Sequence, residues 1–353
     1  MDWLGALPAI LIALAVLLVP GLAIGLVLRL RLFDAVALAP LVTVTLISVS
    51  AVAAPFAGIG WSVLPVLVLT VLVLAACFGI TRFAWYPART AGSGEHSFLR
   101  HQGPWFAAAA AAFLLIGWQV VHIIGAPENF SQTFDNNFHL NAVRYILDTG
   151  NASSLTLTSM TSADQPAYFY PAAWHGFVSL IVQLSGAPIT AATSAAIIAV
   201  SAAVWPLSVL FAVRRLAKLV PAAVLGAGIL VGSFSAFPIL LLDFGVLYPN
   251  LLSLAMVPAA LVTNEIVPNA RFVPELMATA TPSPISMMIG SIQELVVKTR
   301  TSRMKMMAAT VILLISVTVD SVATAVETAD PLMWFASPMI SRISWQAESR
   351  LAS

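Results

Sequence analysis

Charge is scarce in this sequence. Asp, Glu, Lys and Arg make up 9% of its 353 residues, against roughly 25% in soluble domains. With 60% hydrophobic residues and a mean hydropathy of +0.96, the chain reads as an integral membrane protein. It has no long basic tract and a net charge of only +1, so composition gives no reason to expect nucleic acid as a partner. Cysteine is nearly missing too: Cys77 stands alone in an apolar run, which rules out an intrachain disulfide and leaves the redox compartment unread. The first apolar run, Leu4–Leu28, lacks a basic flank before it and is followed by Arg29 and Arg31. A signal peptide has the opposite polarity, so this run is expected to stay as a span. There is no internal repeat.

What the chain has in quantity is long apolar runs. They cover Leu4–Leu28, Ala35–Phe56, Trp61–Ile80, Trp105–Ile124, Pro188–Val213, Leu219–Phe237 and, more briefly, Asn250–Val262. Runs near eighteen residues or more mark spanning helices. These runs are continuous, whereas the strands of a membrane barrel alternate over about ten residues. The fold class expected is an all-α polytopic transmembrane bundle. The chain divides into four N-terminal transmembrane helices (1–125), a polar loop (126–187), three further transmembrane helices (188–263) and a divergent tail (264–353). The tail ends its first half in the basic run KTRTSRMK and offers one more span, Met306–Thr324, with Asp320 near its end, where that acid can reach water.

Lys and Arg of short loops stay on the cytoplasmic side. With the N-terminus outside, the inside loops carry Arg29, Arg31, Arg82, Arg89, Arg100, Arg214, Arg215 and Lys218, and the outside loops up to the seventh span carry Arg144 alone. Eight cations against one places the polar loop outside the cytoplasm, together with Asp243.

Glu128–His175 is the one long polar interval, and loops on a rigid scaffold commonly carry function. It holds Glu128, Asp135, Asp148, Asp164 and two of the five histidines. Asp135–Leu147 has helical spacing, with Phe138, Ala142 and Ile146 on one stripe and Leu140, Val143 and Leu147 beside it. Gly150 supplies a stop. Such a helix is too short to span and is expected to lie in the interface, apolar side toward the bilayer. Asp135 and His139, four apart, share a face. Three roles are open to Asp135: a helix cap, a metal ligand with His139, or a general base. A second short helix is expected from Tyr168 to Leu184, along or dipping into the outer face, with Tyr168, Tyr170 and Trp174 as interfacial anchors and His175 as a satisfied polar residue.

The segment DNNFHLNAVRYILDTG, Asp135 to Gly150, resembles the GT-C superfamily of membrane glycosyltransferases, in which an Asp opens a short helix of the first extracytoplasmic loop. YFYPAAWHGFVSLIVQLSG and a span closing on AVRRLAK follow in the same order. FGVLYPNLLSLAMVPAAL, from Phe244, resembles a later helix of actinobacterial membrane proteins of this kind. Together the matches cover roughly Pro127 to Leu261.

The resemblance implies a membrane enzyme that moves a sugar from a polyprenyl-phosphate donor to a glycan or protein acceptor outside the cytoplasm, with inversion. By position Asp135 would be the base. Arg144, with His139 and His175 behind it, would support the leaving phosphate, though Arg144 has an equal claim as an interfacial snorkel. Asn136, Tyr168 and Tyr170 complete the expected substrate-binding set. Many members carry a second acid where Asn136 stands, which leaves a divalent metal unsupported and names no cofactor. The bilayer is the expected surrounding, and a membrane partner subunit stays open. The alternative is a non-catalytic or transporter-like protein that uses the loop to bind a ligand or partner, including a degenerate relative acting as a scaffold.

Overall fold

The computed structural model describes residues 1–83, 101–161, 167–217, 219–234, 237–243 and 246–263. Arg89, Arg100, Asp164, Lys218 and the tail with Met306–Thr324 and Asp320 lie outside the described residues, as does the side chain of Asp243. The described elements are helical throughout, with no strand among the described residues. They are α1 (Leu7–Val27), α2 (Leu32–Phe56), α3 (Val63–Phe83), α4 (Gly103–Ile124), α5 (Phe134–Thr149), α6 (Ala173–Ser185), α7 (Ile189–Ile198), α8 (Trp205–Leu216), α9 (Pro221–Ser233), α10 (Ile239–Asp243) and α11 (Tyr248–Thr263).

Five helices are long and apolar enough to cross a membrane: α1, α2, α3, α4 and the continuous rod Ile189–Leu216 made by α7, a π-type segment Ala199–Val204 and α8. At 1.5 Å per residue, 21 residues reach about 31 Å, the thickness of the hydrocarbon layer. The chain is thus an all-helical, multi-pass membrane protein. The sixth and seventh expected runs fold shorter. The run Leu219–Phe237 yields only the 13 residues of α9, which reach about 20 Å. The run Asn250–Val262 extends back to Tyr248 and forms the 16 residues of α11.

Helix packing uses small residues, as it must where lipid offers no hydrophobic drive between helices. A Cβ on Gly21 of α1 would overlap the backbone of Ala39 in α2, and one on Gly228 of α9 would overlap Ala108 in α4. The Gly21 amide also meets the Thr43 hydroxyl at 3.0 Å. In and just after the π-type segment, the Ser201 hydroxyl and the Trp205 indole N–H are buried with no partner among the described residues.

The bundle has two distinct ends. At one, the Trp3 indole donates to the Gly125 carbonyl (2.9 Å) and the Trp61 amide to the Gly150 carbonyl (2.7 Å), so the N-terminus, the α2–α3 turn and the polar loop meet. At the other, the Phe33 amide donates to the Gln102 side chain (3.0 Å), and Asp34 meets Arg214 and Arg215. We call these the loop end and the basic end.

Two expectations about the loop are corrected. The apolar stripe of α5 faces protein: Asn136, His139, Ala142, Val143 and Ile146 are buried. Helix α6 does not lie along the outer surface either. Every residue from Trp174 to Ile181 is buried, in a 13-residue helix packed on α1, α2, α5 and α7. Trp61 reaches into this packing, donating from its indole to the Ser179 hydroxyl at 2.9 Å. Trp174 is consequently a core residue, 1% exposed and stacked 5.0 Å from Tyr248, and no interfacial anchor.

Candidate functional site

Thr133 precedes α5 in extended conformation, and Gly150 closes it in the left-handed region (φ 63°), its amide returning to the Ile146 carbonyl at 2.9 Å. The observed helix is three residues longer than the Asp135–Leu147 expected, and its stop is where the glycine placed it. Asp135 therefore sits in the first turn without being the cap residue. Its side chain is exposed, and it takes no hydrogen bond or ion pair among the described residues. Partial desolvation raises its carboxyl above the usual range.

Asn136 and His139 turn the other way, inward. The Asn136 amide nitrogen donates to the Ser131 carbonyl at 2.7 Å, while its amide oxygen is buried without a partner among the described residues. His139 Nδ1 lies 3.0 Å from His175 Nε2. The Val246 backbone favours a proton on His139. His175 Nδ1 is buried with no partner among the described residues. Burial pushes His139 down to about 4, against the Val246 backbone, which favours its proton, and pushes His175 well below its usual value, with His139 opposing a charge on it further. Both are neutral at pH 7. Val246 has φ 46°, a conformation rare for a β-branched residue.

Around the two imidazoles stands a shell of aromatic rings. Phe138 lies 4.8 Å from Tyr170, Tyr170 5.8 Å from His175, and Tyr248 5.1 Å from His139. Tyr170 is held well above its ordinary range, first by burial and then by the charge of Asp135 and by Tyr168. Asp135, Tyr170, His139 and His175 are thus brought together, the first at the surface and the rest beneath it.

Arg144 is not brought to them. Nine residues after Asp135, at about 100° per residue, it lies on the opposite face of α5. There its Nε donates to Asp148 at 2.9 Å, in an exposed pair. The ring of Tyr168 is exposed, while its backbone is held at both N–H and carbonyl by the Thr158 hydroxyl (2.9 and 2.8 Å). Among the described residues no group of three or more His, Cys, Asp or Glu side chains converges as a metal site.

Beside this cluster a half-open cavity of about 540 Å³ lies between the end of α4, residues 128–132, the first turns of α7 and the start of α11. Its polar wall includes Glu128, Ser131, Thr190, Ser194 and Tyr248, and its apolar wall includes Ile123, Ile197 and Val246. Asp135 does not line it. Tyr248 joins the two regions, lining the cavity on one side and touching His139 on the other. Sequence reasoning missed this cavity. One signal was present: Thr190, Thr193 and Ser194 are spaced i, i+3, i+4, a polar stripe on one face of an apolar helix.

Asp34 was missed as well. It opens α2 at the basic end, with Arg214 Nε at 3.5 Å and Arg215 Nη2 at 3.0 Å. The Arg214 guanidinium lies 5.3 Å from the Phe33 ring centre and 5.6 Å from that of Trp105.

Residues 14–280 match the model of a family of unknown function, DUF6541, and the chain belongs to that family. No curated protein and no solved structure matches it.

Proposed function

We propose that this member of the DUF6541 family is a GT-C-like membrane glycosyltransferase whose loop end faces out of the cytoplasm, with Asp135 as the base. The observation that carries the reading is Asp135 itself: an exposed carboxylate in the first turn of a helix, held by no neighbour, with its proton affinity raised. A base needs reach to a substrate hydroxyl and a pKa shifted toward neutrality. The clustering of Arg29, Arg31, Arg214 and Arg215 at the far end supports the orientation.

In the proposed step, the Asp135 carboxylate takes the proton of an acceptor hydroxyl as that oxygen bonds to the anomeric carbon of a polyprenyl-phosphate sugar. The bond from that carbon to the phosphate oxygen breaks, and the lipid phosphate leaves with the electron pair. Tyr170, neutral and within the field of the carboxylate, would orient the hydroxyl. Arg144, paired with Asp148 on the other face, is poorly placed to meet the phosphate.

The test is Asp135→Asn in vesicles given a panel of radiolabelled polyprenyl-phosphate sugars and a membrane extract as acceptor source. Loss of transfer at normal protein level is expected; normal transfer by the variant removes Asp135 as base. A second reading, a non-catalytic ligand-binding membrane protein, is favoured by one fact: the cavity and Asp135 are separate. Absence of transfer by the unmodified chain across the panel would favour that reading.

A further inference from the structure

The cavity at the loop end has a chemistry of its own. Ser194 and Tyr248 are 2% and 3% exposed, yet neither hydroxyl has a hydrogen-bond partner among the described residues, and both residues line the cavity. Neither oxygen is sealed inside the protein: both open onto the cavity, where they can meet the donors and acceptors of an occupant. Thr190, one turn before Ser194, adds a third hydroxyl with no side-chain partner. Other polar side chains of the wall are already engaged: Thr193 donates to the Ile189 carbonyl (2.8 Å) and Asn129 to the Ile124 carbonyl (2.9 Å).

The charge of the wall decides what kind of occupant fits. No Lys, Arg or His lines it among the described residues, and its one charged side chain is the carboxylate of Glu128. The first turns of α7 contribute a partial positive charge of about half an elementary charge. Glu128 stands at the same wall with a full charge of opposite sign, which the Met1 amine meets at 2.9 Å. Among the described residues that line the cavity, none carries a guanidinium or ammonium to clamp a phosphate. The opposite wall is aliphatic, as with Ile123, Ile197 and Val246. Hydroxyls on one side and C–H surfaces on the other match the two kinds of face of a sugar ring. The volume lies within the range of about 300–1,000 Å³ usual for small-molecule sites.

We propose that this cavity binds an uncharged glycosyl unit, held by the hydroxyls of Ser194, Tyr248 and Thr190, as a subsite separate from Asp135. The assignment deepens the transferase reading and rests on it for the choice of a sugar over other neutral polyols. The glycosyl unit can be carried by a soluble glycan or by a lipid, and the shared chemistry is the same.

The experiment uses the full chain with Cys77→Ala and Ser194→Cys in phosphatidylcholine nanodiscs, and follows alkylation of the single thiol by iodoacetamide. The expected result is that the thiol reacts and that neutral sugars slow it severalfold, while inorganic phosphate does not. The sugars are a panel of methyl hexosides and pentosides in solution and a monoglycosyl diacylglycerol placed in the nanodisc. Protection by the soluble glycosides assigns the soluble source, and protection by the glycolipid alone assigns the lipid-borne one. Tyr248→Phe added to this background should weaken protection about tenfold, the effect of one lost hydrogen bond to a ligand. A thiol that does not react, protection by phosphate equal to that by sugars, protection by no glycoside, or full protection retained in Tyr248→Phe would each overturn the assignment. Asp135→Asn separates the two proposals: it should abolish transfer and leave protection intact. Transfer retained in that variant ends the role of Asp135 and not that of the cavity.

Discussion

Asp34 and Asp135 occupy the same place in two helices, the first turn of α2 and the first turn of α5, and their surroundings differ in every other respect. Asp34 is 5% exposed and held by two arginines from α8, one of which lies against the rings of Phe33 and Trp105. Asp135 is exposed, has no partner among the described residues, and keeps a raised affinity for its proton. A carboxylate in the first turn is favoured by the helix dipole in both places. What differs is whether the fold satisfies it. Asp34 ties the start of one membrane helix to the end of another, 181 residues away. Asp135 ties no second element among the described residues.

The sharpest way to break the comparison is to remove Asp34. Asp34→Ala leaves the Arg214 guanidinium nearly buried without its carboxylate, which should cost about 3–5 kcal/mol, read as unfolding in mixed micelles. Replacing the ion pair as a whole, Asp34→Leu with Arg214→Met, should recover much of that loss. If the single variant is as stable as the parent, the buried pair does not hold the basic end together.

The next largest effect is set by pH and belongs to the loop end. An unfolded histidine binds a proton near 6.5, while folded His139 does so only at about 4. Between those values the unfolded state holds the extra proton, so stability is fully present above pH 6.5 and falls as pH drops toward 4. His175, shifted in the same direction, adds to the slope. The slope should shrink in His175→Gln. An unchanged pH profile would show that the two rings are not buried neutral.

Asp135→Asn should change stability by less than about 0.5 kcal/mol, the range of an exposed substitution that touches no cap or pair. Equal destabilisation by Asp135→Asn and Asp34→Ala would erase the distinction between the two acids. Smallest of all is Arg144→Ala, which breaks an exposed i, i+4 pair worth about 0.3–0.5 kcal/mol. A larger loss, or a loss of transfer in vesicles with normal folding, would give Arg144 a role that its position on the far face of α5 does not suggest.

Much of the fold was legible along the chain. The long apolar runs became α1 to α4 and the rod Ile189–Leu216, because a helix is the way an apolar segment of that length satisfies its own backbone. The limits of α5 were nearly readable from its spacing and from Gly150. The site was legible in part: Asp135 was singled out, but not that Asn136 and His139 beside it turn inward to meet Ser131 and His175. The cavity was not read at all, since its wall is assembled from α4, α7, α11 and residues 128–132.

Sequence by itself determined that this chain is a helical membrane protein with one polar loop and, before residue 264, eight of nine Lys and Arg residues gathered at alternate turns, since those properties follow from length, hydropathy and charge along the chain. Only the tertiary structure decided which apolar faces meet protein and which are left for lipid. Both surroundings are equally free of water, so the stripe of α5 and the whole of α6 carry the same residues whichever they face. It likewise decided which acid is paired and which stays open, because Arg214 and Arg215 come to Asp34 through the packing of α8 on α2, while Asp135 takes no hydrogen bond or ion pair among the described residues.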